Sequence, residues 1–226
     1  MLANPDTIPR AVHFIWIGSD IPQWAAENVR RFRELNPEFS VHVHGDEILH
    51  EGWRPGYEAI AGEHCCSRRA DLLRLSALAA FGGGWYFDTD FIFFRSMAEL
   101  YDEFDEFPRG MLLTRHQGKM DLIANGVIGA RDDAEFFQIL WRRVSQLASQ
   151  PINRQWETYG PALYTSLVQQ YPTLVHVANT SLFYPFPDRV TEARTEAKRI
   201  YREGYRHDLP GNPYAMHFSM MDDTTP

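Results

Sequence analysis

Residues 67–90, SRRADLLRLSALAAFGGGWYFDTD, constrain this chain more than any other stretch. Residues 67–81 have helical spacing and are apolar on nearly every side. Leu75 and Leu78 share a face with Asp71 and Arg74, while Leu73, Ala77 and Ala80 cover the opposite one. A helix that is apolar all round is a buried helix. Gly82-Gly83-Gly84 then stops it and predicts a flexible tight turn. Trp85-Tyr86-Phe87 reads as a short strand running straight into Asp88-Thr89-Asp90, with residues 91–94 continuing beyond. Two carboxylates are thereby expected at the end of a buried strand.

The rest of the chain alternates in the same way. Residues 11–17 (AVHFIWI) read as a buried strand closed at Gly18, Gln23–Leu35 as a helix ending before Asn36-Pro37, and Ser40–His44 as a second strand. Further strands are expected at 111–114, 126–130, 174–177 and 214–218. Further helices are expected at 132–148, Pro161–Gln170 and Val190–Glu203, the last inside a Pro- and charge-rich stretch over 183–213. Strands alternating with helices mean an α/β fold. No repeat, low-complexity tract or long polar linker divides the 226 residues, so 1–226 reads as one domain.

With 44% hydrophobic and 23% charged residues the chain is not wholly disordered. Its 22 basic residues against 30 acidic ones, net charge −8, exclude a broadly cationic nucleic-acid binder. Cys65 and Cys66 are adjacent, so they neither staple the fold nor match zinc spacing, and they read as marks of a reducing compartment or as inert thiols. Pro5, Asp6 and Pro9 precede only a short apolar run, unlike a signal peptide, and no segment offers the ~18 apolar residues of a membrane span. The expectation is a cytoplasmic protein, compatible with peripheral attachment at the inner membrane face.

Ionised groups on a buried helix must be paired or used by a ligand, so Asp71 and Arg74 either neutralise one another or serve a site. Asp88 and Asp90, one residue apart, can converge on a hard divalent cation, which in turn can neutralise a diphosphate leaving group. In isolation an Asp-x-Asp pair is more often two solvated turn residues. His42 and His44 share a strand face, yet with His50 they find no carboxylate or cysteine spacing to complete a zinc site. The triglycine lacks the Lys-Ser/Thr of a phosphate loop, and no Gly-x-Ser-x-Gly elbow is present.

The run ADLLRLSALAAFGGGWYFDTD resembles the core signature of the DXD sugar-binding glycosyltransferases, glycosyltransferase family 32. That family includes yeast initiating mannosyltransferases, bacterial polysaccharide-synthesis enzymes and, distantly, the clostridial glucosylating toxins. IPRAVHFIWIG at 8–18, NGVIGA at 125–130, YGPALY at 159–164, FYP at 183–185 and YAMHFS at 214–219 are similar to other family segments in order. Ala70 stands where the family often has Ser, and the Ser-Trp pair that usually follows the closing His is missing after His217.

The resemblance implies a GT-A fold, a Rossmann-like central mixed sheet flanked by helices, and a nucleotide-diphosphate sugar donor, with UDP-sugar favoured. It implies transfer of a hexose or N-acetylhexosamine to a glycan, lipid-linked glycan or protein acceptor, with retained anomeric configuration. Trp16 would stack on the base, with Ile17 and Tyr86 lining the nucleotide pocket. Asp71 and Arg74 would hold the sugar and diphosphate, and Asn125 would hydrogen-bond to donor or acceptor. Asp88 would contact the ribose or sugar and the metal's water shell, Asp90 would ligate Mn2+ or Mg2+ directly, and His217 would close the site on the metal or diphosphate. The implied catalytic set is Asp71, Arg74, Asp88, Asp90 and Asn125. The rival readings are a catalytically inactive nucleotide-sugar- or glycan-binding relative and a metal-dependent phosphohydrolase.

Overall fold

The computed structural model describes residues 7–49, 66–103, 110–116, 122–148, 159–186, 190–205 and 209–218. Its strands are β1 (Ala11–Ile15), β2 (Ser40–His44), β3 (Gly83–Phe87), β4 (Phe91–Phe93), β5 (Met111–Arg115), β6 (Ile123–Arg131), β7 (His176–Ala178) and β8 (Ala215–His217). Its α-helices are α1 (Gln23–Leu35), α2 (Cys66–Ala80), α3 (Ala98–Glu103), α4 (Glu135–Ala148), α5 (Pro161–Gln170) and α6 (Val190–Glu203). Among the described residues no helix is long and apolar enough to cross a membrane. His50 and Cys65 lie outside the described residues.

Six strands form one mixed sheet in the order β2-β1-β3-β6-β5-β7. β1 pairs in parallel with β2 and β3, and β5 with β7, whereas β6 runs antiparallel to both β3 and β5. β4 and β8 form a separate antiparallel pair. The α/β architecture with a Rossmann-like mixed sheet is therefore as expected.

Successive side chains of a strand point to opposite faces, and the sheet has a packed core on each. Tyr86, Ile128 and Leu113 pack on one side with Leu72, Leu75 and Leu78 of α2 and with Phe136, Phe137 and Leu140 of α4. Phe14, Trp85, Phe87 and Val127 pack on the other with Phe32 of α1, Phe91, Phe93 and Phe183. A third cluster joins Trp24 and Ala25 of α1 to Ile92, Met216 and Phe218 and to Ala193, Ala197 and Ile200 of α6. Residues 71–78 of α2 are buried throughout, as an all-round apolar helix requires.

The flexible triglycine turn needs correction. Only Gly82 is a turn residue open to solvent, while Gly83 and Gly84 are the first two residues of β3. All three have positive φ. At Gly84 the backbone of β1 comes so close that a Cβ would lie 2.7 Å from the Ala11 carbonyl oxygen. These glycines serve close strand approach as much as chain reversal. Similarly, α4 starts at Glu135 because Asp132 and Asp133 form the turn before it, held by Arg131 at 2.8 Å from Asp133.

Candidate active site

β1 continues through α1 into β2 on one side, while β3 lies on the other. The crevice beyond the C-terminal ends of β1 and β3 is thus a topological switch point, where open α/β sheets bind ligands. Trp16 and Ile17 follow β1 there, and Asp88-Thr89-Asp90 follows β3.

The turn is tied down at three points. The Asp88 amide donates to the Gly126 carbonyl at 2.8 Å, the Thr89 carbonyl accepts from Asn28 Nδ2 at 2.9 Å, and the Asp90 carbonyl accepts from the Phe218 amide at 3.1 Å. Pairing of β4 with β8 sets Phe91 opposite His217. His217 Nε2 consequently lies 3.1 Å from Asp90 Oδ1.

Behind this turn sits a buried ionic layer. Arg74 Nη2 lies 2.9 Å from Asp71 Oδ1 and 3.4 Å from Asp88 Oδ1. Its other nitrogens donate to the backbone carbonyls of Ala70 and Asn125, and the guanidinium covers the Tyr86 ring at 4.7 Å. Tyr86 donates its hydroxyl to Asp88 Oδ1 at 2.6 Å, and Asn125 Nδ2 donates to Asp71 Oδ1 at 2.8 Å. Seven of the nine expected site residues thus form one cluster. Trp16 and Ile17 stand at the same end of the sheet, Trp16 half-buried with its indole N–H on Ser19 Oγ at 3.2 Å and its ring edge-on to Trp24.

Exposure divides the cluster. The Arg74 side chain is 5% exposed and that of Asp88 28%. Asp71 and Arg74 do neutralise one another, as their spacing allowed, but Arg74 also reaches Asp88 and so joins the helix pair to the strand-end carboxylate. Asn125, Asp88 and His217 are the cluster's half-buried members.

Burial raises the Asp88 carboxyl above the usual range, with neighbouring Asp90 adding to the effect and Arg74 opposing it. Asp71 is pushed up to about 6 by burial, against the pull of Arg74 and with a further push from Asp88. Burial disfavours the His217 imidazolium, yet the Asp90 and Asp88 carboxylates outweigh it and raise His217 overall. A bound cation would require Asp88 and Asp90 ionised and His217 neutral; with Asp71 also ionised, Arg74 offsets one of three negative charges and leaves two for a divalent cation to balance.

Asp88, Asp90 and His217 each offer a ligand atom, all within 4.8 Å of one another. Two carboxylate oxygens and an imidazole nitrogen suit a divalent cation that accepts both oxygen and nitrogen, so the residues fit the expected metal.

Several site-building residues carried no role in the sequence reading. Tyr184 stands beside His217, ring centroids 5.4 Å apart, and a Cβ on Gly126 would come within 3.0 Å of its hydroxyl. Tyr164 of α5 is wholly buried near Arg74 and Asp71, with a hydroxyl that has no hydrogen-bond partner among the described residues. Gly160 precedes Pro161 because a side chain there would strike the Asn125 amide at 2.9 Å. Tyr164, Tyr184 and Gly160 lie in segments already noted for resemblance, whereas Asn28 had no signal at all. His42 and His44 share a face, as expected, and stack with buried His13 beneath Phe81.

No protein-family model and no curated protein sequence matches this chain. In structure it is similar to the PaToxG glycosyltransferase, at 18% identity and TM-score 0.55 over 73% of this chain and 70% of the other. It is also similar to mouse xyloside xylosyltransferase 1, at 14% identity and TM-score 0.57 over 96% and 99%. A third likeness, at 13% identity and TM-score 0.55 over 93% and 94%, is to a glycosyltransferase involved in glycosylating the major capsid of PBCV-1. The chain has the fold of these glycosyltransferases.

Proposed function

We propose that this chain is a metal-dependent glycosyltransferase of the family 32 type, moving a hexose or N-acetylhexosamine from a nucleotide diphosphate, with UDP favoured, to an acceptor hydroxyl. The observation that carries the reading is the Asp88–Asp90–His217 cluster at the switch-point crevice of a glycosyltransferase fold.

Asp88, Asp90 and His217 would hold Mn2+ or Mg2+, which when bound supplies positive charge to the departing diphosphate. Trp16 offers an aromatic face to the base at the end of β1. Asp71 and Asn125, already joined at 2.8 Å, present polar groups to the donor sugar. Arg74 acts from the buried layer, fixing Asp88 through the ion pair and adding positive charge behind the diphosphate. Transfer breaks the bond from the anomeric carbon to the diphosphate oxygen and forms one to the acceptor oxygen. With attack on the same face, the leaving oxygen takes the acceptor's proton and configuration is retained.

Acceptor recognition falls to the 183–213 stretch. On α6, Arg194, Lys198 and Arg202 recur every four residues and suit an acidic glycan or a membrane-bound acceptor at the inner face of the membrane.

The test is a donor screen by calorimetry and nucleotide release with UDP- and GDP-sugars, in Mn2+ and then in EDTA, for the parent chain and Asp90→Ala. Metal-dependent binding and slow hydrolysis of one donor, both lost in Asp90→Ala, is the expected result. A folded protein that binds no donor in Mn2+, or that releases phosphate from simple phosphomonoesters, would overturn the reading.

A further inference from the structure

Helix α1 reaches the Asp-Thr-Asp turn through one buried side chain. Asn28 is wholly buried, its Nδ2 donating to the Thr89 carbonyl at 2.9 Å and its Oδ1 accepting from the Tyr201 hydroxyl of α6 at 2.6 Å. Both ends of the amide are engaged, which fixes its orientation. Thr89 lies between the two carboxylates, so the tilt of its peptide decides how Asp88 and Asp90 are aimed. The ties on either side of it, from Asp88 to Gly126 and from Phe218 to Asp90, are backbone to backbone. Asn28 adds a side-chain tie at the centre.

The neighbours of Asn28 on that helical face point the same way. Trp24, four residues before, meets Trp16 edge-on, with ring centroids 5.7 Å apart. Arg31, three residues after, covers the Tyr205 ring at 4.4 Å and reaches the Phe93 carbonyl at 3.5 Å. One face of α1 therefore touches the indole at the end of β1, the carboxylate turn and the chain around α6.

We infer that Asn28 is a positioning residue that sets the spacing of Asp88 and Asp90 for the cation, and that Tyr201 makes this spacing depend on the seating of α6. The inference rests on the metal-dependent reading above. Removing the amide leaves the carbonyl of buried Thr89 and the hydroxyl of half-buried Tyr201 without this partner, and the turn relaxes to satisfy them. Partners that bond a metal ligand directly typically alter metal affinity by roughly 10–100-fold, and Asn28, bonded to the peptide between two ligands, belongs at the low end of that range.

The experiment titrates Mn2+ into the full chain, followed by the electron paramagnetic resonance of free Mn2+, with thermal melting alongside. Asn28→Leu is expected to weaken Mn2+ binding by about tenfold, and excess Mn2+ to restore its turnover. Tyr201→Phe, which keeps the Thr89 tie, is expected to show a smaller loss of Mn2+ affinity. Wild-type Mn2+ affinity in a folded Asn28→Leu, with only the melting temperature lowered, would overturn the inference. Should Asn28→Leu not fold, wild-type affinity in Tyr201→Phe overturns it instead. Failure of the underlying reading looks different, because the parent chain itself would then take up no Mn2+.

Discussion

Gly126 lies directly beneath the carboxylate of Asp88: a Cβ at that position would sit 2.8 Å from Asp88 Oδ2 and 3.0 Å from the Tyr184 hydroxyl. Both neighbours are far ends of side chains, so the fold can give way around a methyl group while the site cannot. Gly126→Ala is expected to keep the melting temperature near that of the parent chain and to lower kcat/KM for donor hydrolysis by roughly 100-fold, the effect of about a 1 Å misplacement. Melting and steady-state kinetics on the same sample check this. Parent-like turnover would mean that the Asp88 position does not matter.

Arg74 holds the buried layer together, pairing with Asp71 and Asp88 and donating to two backbone carbonyls. Arg74→Met fills similar space but leaves Asp71, itself 8% exposed, without its cation. Breaking a buried pair from one side costs about 3–5 kcal/mol, and denaturant unfolding should show a loss of that order. Because Asp71 then lacks its main opposing charge, Arg74→Met combined with Asp71→Asn should recover part of the loss. A single variant as stable as the parent would place Arg74 outside the stabilising network.

Much of this architecture was legible because its ends are marked chemically. Pro22 and Asn36-Pro37 bracket α1, and Gly160-Pro161 starts α5, so those helices have the bounds that their punctuation predicts. β6 was read too short, starting at Gly126 instead of Ile123, since Asn125 just before that glycine has low strand propensity. They sit inside the strand because one reaches Asp71 and the other clears room for Asp88. The carboxylates, His217 and the Asp71, Arg74, Tyr86 and Asn125 behind them could be named from the motif, but the residues that position this set could not. Asn28 resembles any polar helical residue, and Tyr164 and Tyr184 any core aromatic, until α1, α5 and the β4–β8 pair are folded against the turn.

The three glycines where α2 turns into β3 predict a graded response. All have positive φ, where a Cβ is strained, yet at Gly82 nothing lies within 4 Å of where it would be. Gly82→Ala should therefore cost only about 1 kcal/mol. Gly83→Ala would drive its Cβ to 2.4 Å from the Ala130 carbonyl oxygen, and Gly84→Ala to 2.7 Å from that of Ala11. Both contacts are with backbone, which cannot move aside without disturbing β6 or β1. Urea unfolding should rank Gly82→Ala well above the other two, and equal losses at all three would contradict the close-approach argument.

His13 gives the fold an acid sensitivity. It is wholly buried, its Nδ1 lies 3.0 Å from His44 Nε2, and burial lowers its pKa to about 3, with His44 and His42 adding to the effect. An imidazole held neutral by the fold gains its proton only when the chain unfolds. Its contribution to stability is therefore complete above the unfolded value near 6.5 and is lost as pH falls from there toward 3. Between pH 7 and pH 5 the loss from this one group is about 2 kcal/mol. His13→Phe should flatten that part of the stability–pH curve in urea titrations, and an unchanged slope would assign the sensitivity to other groups.

Tyr164 offers a test in which stability and function separate. Its ring fills the core beside α2, but its hydroxyl has no hydrogen-bond partner among the described residues. Burial raises its pKa well above the ordinary tyrosine value, with Arg74 pulling the other way and Asp71 and Asp88 adding to the rise. A buried hydroxyl without a partner costs about 1–3 kcal/mol, so Tyr164→Phe should stabilise the free chain by about 1 kcal/mol. For a chain of this length that is a rise of roughly 2–4 °C in Tm. Under the proposed function, a polar group of the donor would complete this hydroxyl beside Asp71 and Arg74. The same variant should then bind the donor less tightly, with the added donor raising Tm less than it does for the parent chain. Higher Tm with unchanged donor affinity would leave the hydroxyl without a role in the site, and lower Tm would show that it already has a partner in the free protein.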